Sequence, residues 1–283
     1  MEVEAAVARR LWRLFEPYHA VTYFSPECRE AFKDVGLKGF WMGYFAGRAA
    51  PMGQVGPGVV TATFFGFHPA MVARALPDAW GFAPVPAVLD ARLHGVDHAL
   101  RRLLGDGVDD PALGEAARLA RAATEGAGFA GRPLFAANAG LEWPEPSHLA
   151  LWHAATLLRE HRGDGHVAAL LAAGLDGCSA HVTLVATGAL TRDVLQPNRG
   201  WSDEDWEAAA ERLMARGWLD DAGELTEGGR VTRRAVEDAT DELALEPWAA
   251  LGKEGSERLA ELLEPVARAV AHDIPLPNPI GLS

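Results

Sequence analysis

The chain has 283 residues, 49% of them apolar, and a formal charge of −13. That length allows two compact units sharing an interface or one large one, with a sizeable buried core. DNA is a polyanion whose partners carry a basic face, so the charge opposes nucleic acid; apolar runs such as VVTATFF and VAALLAAGL fall far short of the roughly 20 residues a membrane span needs.

The amino terminus, MEVEAAVARR, begins with acids and lacks a positive segment followed by an apolar one. No secretory signal is expected, and a cytoplasmic location is. Cys28 and Cys178 stand far apart with no CxxC or Cys/His spacing, which argues against a disulfide framework and a structural zinc.

Apolar residues at helical spacing (Ala5, Val7, Leu11, Leu14, Phe15) predict a first helix over 4–18. SPEC at 25–28 opens a second, with Ser25 as cap and Pro26 in the first turn. The aromatic stretch FWMGYFAGR (40–48) follows, then a Pro/Gly loop over 49–58. VVTATFFGF (59–67) reads as a buried strand or helix, with helix preferred, and further helices are predicted at about 69–76, 84–104 and 111–125. The Gly-rich EGAGFAGRP places a boundary near residue 130.

In the second half Ser147 is expected to cap a helix running to about Arg162, with Gly163 ending it and Asp164 capping a second short helix, GHVAALLAAGL. SAHVTLVATGAL forms a third. Ser202 can accept from the N–H of Asp205, with Trp201 and Trp206 at the positions of a hydrophobic staple. That helix ends at Arg216-Gly217; WLDDAGELT reads as a tight two-stranded hairpin, followed by a long amphipathic helix.

Short helices, a longer helix ending in RGWL, a hairpin, then LTEGGR opening another helix: over roughly 148–245 this order resembles the winged helix-turn-helix of the multiple-antibiotic-resistance regulator superfamily. The segments GYFAGRAAPMG, ALPDAW, GRPLFAAN, LREHRGDGHVAAL and RGWSDEDW also make the whole chain similar to a family of actinobacterial proteins known as helix-turn-helix proteins. The resemblance implies a mainly α fold: a helical N-terminal half (1–130), a winged-helix-like half with a small β-hairpin wing (131–271) and a Pro-rich C-terminal strap (272–283). It also implies that the helix before the wing should enter a DNA groove. Here that helix carries Asp203, Glu204, Asp205, Glu207 and Glu211 against Arg212 and Arg216, and residues 201–246 hold 14 acids and 5 arginines, a net of −9. First-turn acids suit the positive end of a helix dipole, but they do not supply the cations that phosphates require.

REHRGDGH (159–166) concentrates the chemistry. Histidine beside a carboxylate suits general acid–base work, and arginine offers a planar fork for an anion. His161 and His166 are the candidate proton-transfer groups, Glu160 and Asp164 the carboxylates that would orient them, and Arg159 and Arg162 anion holders. His153, eight residues before His161, can share its face. The two Gly-Arg loops add Arg48 and Gln54, and Arg132 and Asn138, as ligand-binding candidates, with the nearby aromatics as walls. No metal motif is present; His94 and His98 have ligand spacing without a third ligand. The expectation is a scaffold that has lost DNA affinity and binds or transforms a small, anionic molecule in a cleft between its halves. No cofactor is specified, and a homodimer is one arrangement the strap allows. The rival class is a ligand-responsive DNA-binding regulator.

Overall fold

A computed structural model describes residues 4–282; residues 1–3 and 283, the outermost parts of the expected N-terminal domain and strap, lie outside the described residues. Helix α1 (Ala5–Phe24) buries Ala8, Leu11, Phe15 and Tyr18 at helical spacing and runs six residues past its expected end. Helix α2 (Pro26–Asp34) does begin with Pro26 in its first turn. Ser25 makes no cap, because its buried hydroxyl donates instead to Asp273 Oδ2 at 2.6 Å.

Helix α3 (Gly39–Ala49) carries the aromatic stretch, and a 3₁₀ turn at Ala50–Met52 takes up part of the expected loop. The ambiguous VVTATFF run is helical, in α4 (Pro57–Phe64). The short α5 (Pro69–Ala73) and α6 (Ala79–Phe82) lead to α7 (Val85–Leu104) and α8 (Pro111–Glu125), the last capped by Asp110 accepting from Ala112 N. Helix α9 (Pro133–Ala139) follows the Gly-rich break.

The two helices expected to meet at Gly163 are one continuous helix, α10 (Ser147–Ala172), with Pro146 rather than Ser147 at its N-cap position. Local glycine chemistry argued for a stop, but tertiary packing overrides it. A Cβ on Gly165 would sit 2.3 Å from Arg132 Nη1 and 3.2 Å from the Leu243 Cβ, so this mid-helix glycine is where other elements press on the helix backbone. Asp164 is a cap, but of a different helix: its Oδ2 accepts from Leu134 N and Phe135 N, both at 3.0 Å, in the first turn of α9.

Helix α11 (Gly177–Val185), capped by Asp176, and the short α12 (Arg192–Leu195) precede α13 (Asp203–Ala215). Ser202 and Asp205 form a complete capping box at the start of α13. The expected β-hairpin wing is not present as strands. Residues 218–226 make one isolated antiparallel bridge, Leu219 to Leu225. Asp220 Oδ1 accepts from Ala222 N and Glu224 N, and Thr226 already caps α14 (Glu227–Leu243), which leaves too few residues on either side of the turn for a ladder.

The last described α-helix is α15 (Glu246–Val270), kinked at Gly252 (φ 78°), which returns to pack on α1 and α8. The largest core therefore joins residues from both sides of position 130, including Leu11, Phe15, Leu100, Leu113, Trp152 and Trp248. A second core is aromatic (Phe45, Phe64, Phe67), and a third lies between the end of α10, α11, α13 and α14 (Trp206, Leu213, Trp218, Leu225). Helix α10 runs through the middle, packed against α1, α8, α9 and α14 and buried on nearly every side. With no solvent-facing stripe, each polar residue on it must find a partner inside the protein. The C-terminal residues lie along α1, with Ile280 and Leu282 against Ala20 and Tyr23. No single described helix is long and apolar enough to cross a membrane.

Candidate functional site

At 3.6 residues per turn, the polar residues of REHRGDGH leave α10 in different directions. Glu160 and Asp164 share one side, Arg159, Arg162 and His166 another, and His161 points between them. Two cavities result, on opposite sides of the helix.

The first, about 220 Å³, lies among α1, α2, α3, α7 and α10. Phe32, Phe40, Tyr44 and Trp152 form its apolar walls. The Phe32 ring sits in a notch made by Gly43 and Gly47 on α3, where a Cβ on Gly47 would come within 2.4 Å of the ring. At the polar end, Arg48 donates two parallel bonds to Glu160, Nε to Oε1 and Nη2 to Oε2, each 2.9 Å. Arg159 Nη1 donates to the same Oε2 at 2.9 Å. Burial alone would push the Glu160 carboxyl up, but Arg159 and Arg48 overcome it and hold the group well below the usual carboxylate range.

Beside this pair His19 bridges two hydroxyls, Nδ1 to Thr156 Oγ1 at 3.0 Å and Nε2 to Tyr23 Oη at 2.8 Å. Thr156 spends its own proton on the Trp152 carbonyl at 2.9 Å. His19 Nδ1 must therefore donate, and Nε2 accepts from Tyr23. Burial and Arg159 keep this imidazole neutral, well below its ordinary value.

Arg92, on α7, completes the polar end. It is 6% exposed, stacks 5.3 Å from the Trp152 ring, and donates only to neutral acceptors: Gly47 O at 3.2 Å and Asn138 Oδ1 at 3.4 Å. Among the described residues no carboxylate lies within ion-pairing distance of it, and burial pulls its guanidinium down to about 10. A buried cation with dipoles but no counter-charge is costly.

The second cavity, about 850 Å³, opens between α1, α10, α11, α14 and the C-terminal segment. It collects Arg159, Arg162 and His166. Burial pulls His166 down to about 4, and its Nδ1 bonds Thr240 Oγ1 at 2.9 Å.

The remaining sequence candidates line neither cavity. His161 is 1% exposed and packs edge-on to Phe135; its Nε2 lies 3.5 Å from Glu246 with no directed hydrogen bond, and burial pulls it down to about 4. Asp164 serves α9, and burial pushes its carboxyl up to about 6 against the two backbone donors. No described carboxylate orients either histidine as a catalytic pair would need: Glu160 serves arginines, and Asp164 serves a helix terminus. Arg132 donates to the His161 carbonyl and to Leu243 O, securing the end of α14. Asn138 stands behind Arg92, His153 packs on Trp143 at 4.6 Å, and Gln54 is exposed. Among the described residues no group of three His, Cys, Asp or Glu could hold a metal ion.

His19, Tyr23, Arg92 and Thr156 were missed as sequence candidates. Arg92 had a readable sign: it falls on the stripe Val88, Arg92, Val96, Ala99, where α7 is otherwise apolar.

On α13 the acids Asp203, Glu204, Glu207 and Glu211 face outward or to the edge, and its two arginines, also at the surface, pair with neighbouring groups of the same chain. Arg212 donates to Asp176 at 2.8 Å, and Arg216 to the Gly174 and Ala173 carbonyls, each at 2.8 Å. The start of α13 is docked on the N-terminal half: Trp201 Nε1 and His181 Nε2 both reach the Gly66 carbonyl at 2.9 Å. Phe65 holds φ 57°, a strained value for a residue with a Cβ, at the turn that presents this carbonyl.

No curated protein and no solved structure matches the chain. A family model described as a helix-turn-helix family matches residues 8–277, nearly the whole length, and the chain belongs to that helix-turn-helix family.

Proposed function

We propose that this helix-turn-helix protein binds a small organic acid in the cavity between α1, α2, α3, α7 and α10. The observation that carries the reading is Arg92, a buried guanidinium at the polar end of an aromatic-walled cavity with no carboxylate of its own. A ligand carboxylate would supply the missing counter-charge and accept from the forked donors, while the rings of Phe32, Phe40, Tyr44 and Trp152 would bury an apolar or planar body of modest size. Arg48 is already matched by Glu160 and Lys33 by Glu30, and Arg29 is exposed at the lining, so Arg92 is the buried cation left to select for charge.

In this reading the segment from α11 to α13, with the turn at 218–226, is a winged-helix relative of the multiple-antibiotic-resistance regulators that serves as scaffold and does not read DNA. The outward acids of α13, the pairing of Arg212 and Arg216 with groups of the same chain, and the docking of Trp201 against Gly66 all support it. An acidic groove-facing helix forfeits the counterion-release term that supplies most protein–DNA affinity.

Trp152 in the cavity wall gives a direct readout. Phenylacetate and other small aryl and alkyl carboxylates should perturb tryptophan emission, and their neutral amides should not. Equal responses to acid and amide would remove the reading.

A further inference from the structure

The larger cavity carries a separate site. In a chain of net charge −13, its lining includes Arg9, Arg159, Arg162, Arg199, Arg233 and Arg234, with Glu16 and Glu237 as the lining carboxylates. Those acids are already occupied. Glu16 receives Trp12 and Arg159, at 2.9 and 3.5 Å, and Glu237 receives Arg233 at 2.6 Å with Arg9 at 4.0 Å. Asp241 takes Arg9 and Arg162, at 2.6 and 2.7 Å. Arg199 donates only to the carbonyls of Asn198 and Pro279.

After this accounting, buried donors remain. Arg9 Nη2, Arg162 Nη1 and Arg233 Nε and Nη1 have no hydrogen-bond partner, nor does Asp241 Oδ1, which Arg162 meets as an ion pair without a directed bond; the Arg162 and Arg233 side chains are 8% and 10% exposed. Leaving buried charged donors unmade is expensive, so an acceptor in the cavity that these lining side chains could turn toward would be favourable. The arginines come from α1, α10, α14 and the turn before α13, so they converge from several directions on one volume. Guanidinium forks match phosphate oxygens. Leu184, Leu190 and Ile280 supply an apolar wall for an organic body.

We propose that this cavity binds an organic polyphosphate of about nucleotide size, with Arg162 and Arg233 as the inner phosphate ligands and Arg234 at the rim. A cavity of about 850 Å³ enclosed among these helices admits a small ligand and not a duplex. The site is distinct from the Arg92 cavity, and neither reading depends on the other.

The test is isothermal titration of the full chain with ADP and with inorganic pyrophosphate at physiological salt. Binding is expected at roughly millimolar or tighter, with sodium sulfate at matched ionic strength producing none. Arg233→Gln and Arg234→Gln should each weaken ADP about tenfold while leaving the phenylacetate response unchanged. Arg234 is exposed and makes no hydrogen bond or ion pair among the described residues, so its variant keeps the fold if Arg233→Gln does not. Absence of ADP and pyrophosphate binding to the folded wild type, unchanged affinity in Arg234→Gln, or tighter Arg234-dependent binding of duplex DNA than of ADP would each overturn the proposal.

Discussion

Arg48 and Glu160, 112 positions apart, meet through two parallel 2.9 Å hydrogen bonds and tie α3 to the middle of α10 with side chains 10% and 1% exposed. Arg159 shares the same carboxylate, so one anion holds two buried cations. Glu160→Gln removes the one carboxylate of Arg48 and leaves Arg159 only the longer contact to Glu16, and breaking such a buried network costs about 3–5 kcal/mol. Urea unfolding at pH 7 should show a loss of that order. A loss no larger than that of an exposed ion pair would mean the network contributes little.

Gly163 and Gly165 stand two residues apart on α10, but alanine should act oppositely at the two. At Gly163 the nearest atom to an added Cβ is 3.7 Å away, so Gly163→Ala should gain roughly 0.5–1 kcal/mol from helix propensity. At Gly165 the added methyl meets Arg132 at 2.3 Å, so Gly165→Ala should lose about 1–3 kcal/mol. Thermal melts of the two variants compare the signs directly.

Much of the helical framework was legible because its cues are local. Pro26, the Ser202–Asp205 box and the apolar spacing of α1 act within a turn or two. What was illegible depends on distant chain. The hydroxyl of Ser25 is claimed by Asp273, Gly165 yields to Arg132, and Asp164 caps a helix some thirty residues upstream. The site was half visible for the same reason. Composition marked REHRGDGH as polar, but the helical period that disperses its side chains emerged only once Gly163 proved to be mid-helix. Arg92 sits alone among alanines and valines, and only the apolar stripe it interrupts betrays it.

Acid should loosen the fold. Burial pulls His153, His161 and His166 down to about 4 and His181 to about 3, against 6.5 when unfolded. The unfolded chain therefore binds more protons below pH 6.5, and stability that is complete above that value drains away as pH falls toward 4. Asp164, pushed up to about 6, works the other way between 3.8 and 6, since there the fold keeps the proton. These four imidazoles, joined by His19, whose burial lowers it in the same sense, outweigh one carboxyl. The unfolding free energy from urea titration should fall from pH 7 to pH 5, by of order 1 kcal/mol per ring. His161→Phe, which keeps an aromatic against Phe135, should lose less over the same interval; an equal loss would assign the pH dependence elsewhere.

The segment from α11 to α14 should not retard DNA. With Arg212 and Arg216 committed to Asp176 and to carbonyls, α13 presents acids to any groove. Genomic fragments should run unshifted even at low salt, where non-specific attraction is strongest. A shift that weakens steeply with added salt would restore the DNA-reading class.

The most direct measurement is calorimetric titration of phenylacetate and phenylacetamide into the wild type and Arg92→Gln. The glutamine keeps donors for Gly47 but removes the uncompensated charge. The acid should bind the wild type at least tenfold more tightly than the amide, about 1.4 kcal/mol, and that preference should vanish in a variant that remains folded. Acid binding of undiminished strength in Arg92→Gln would contradict the account.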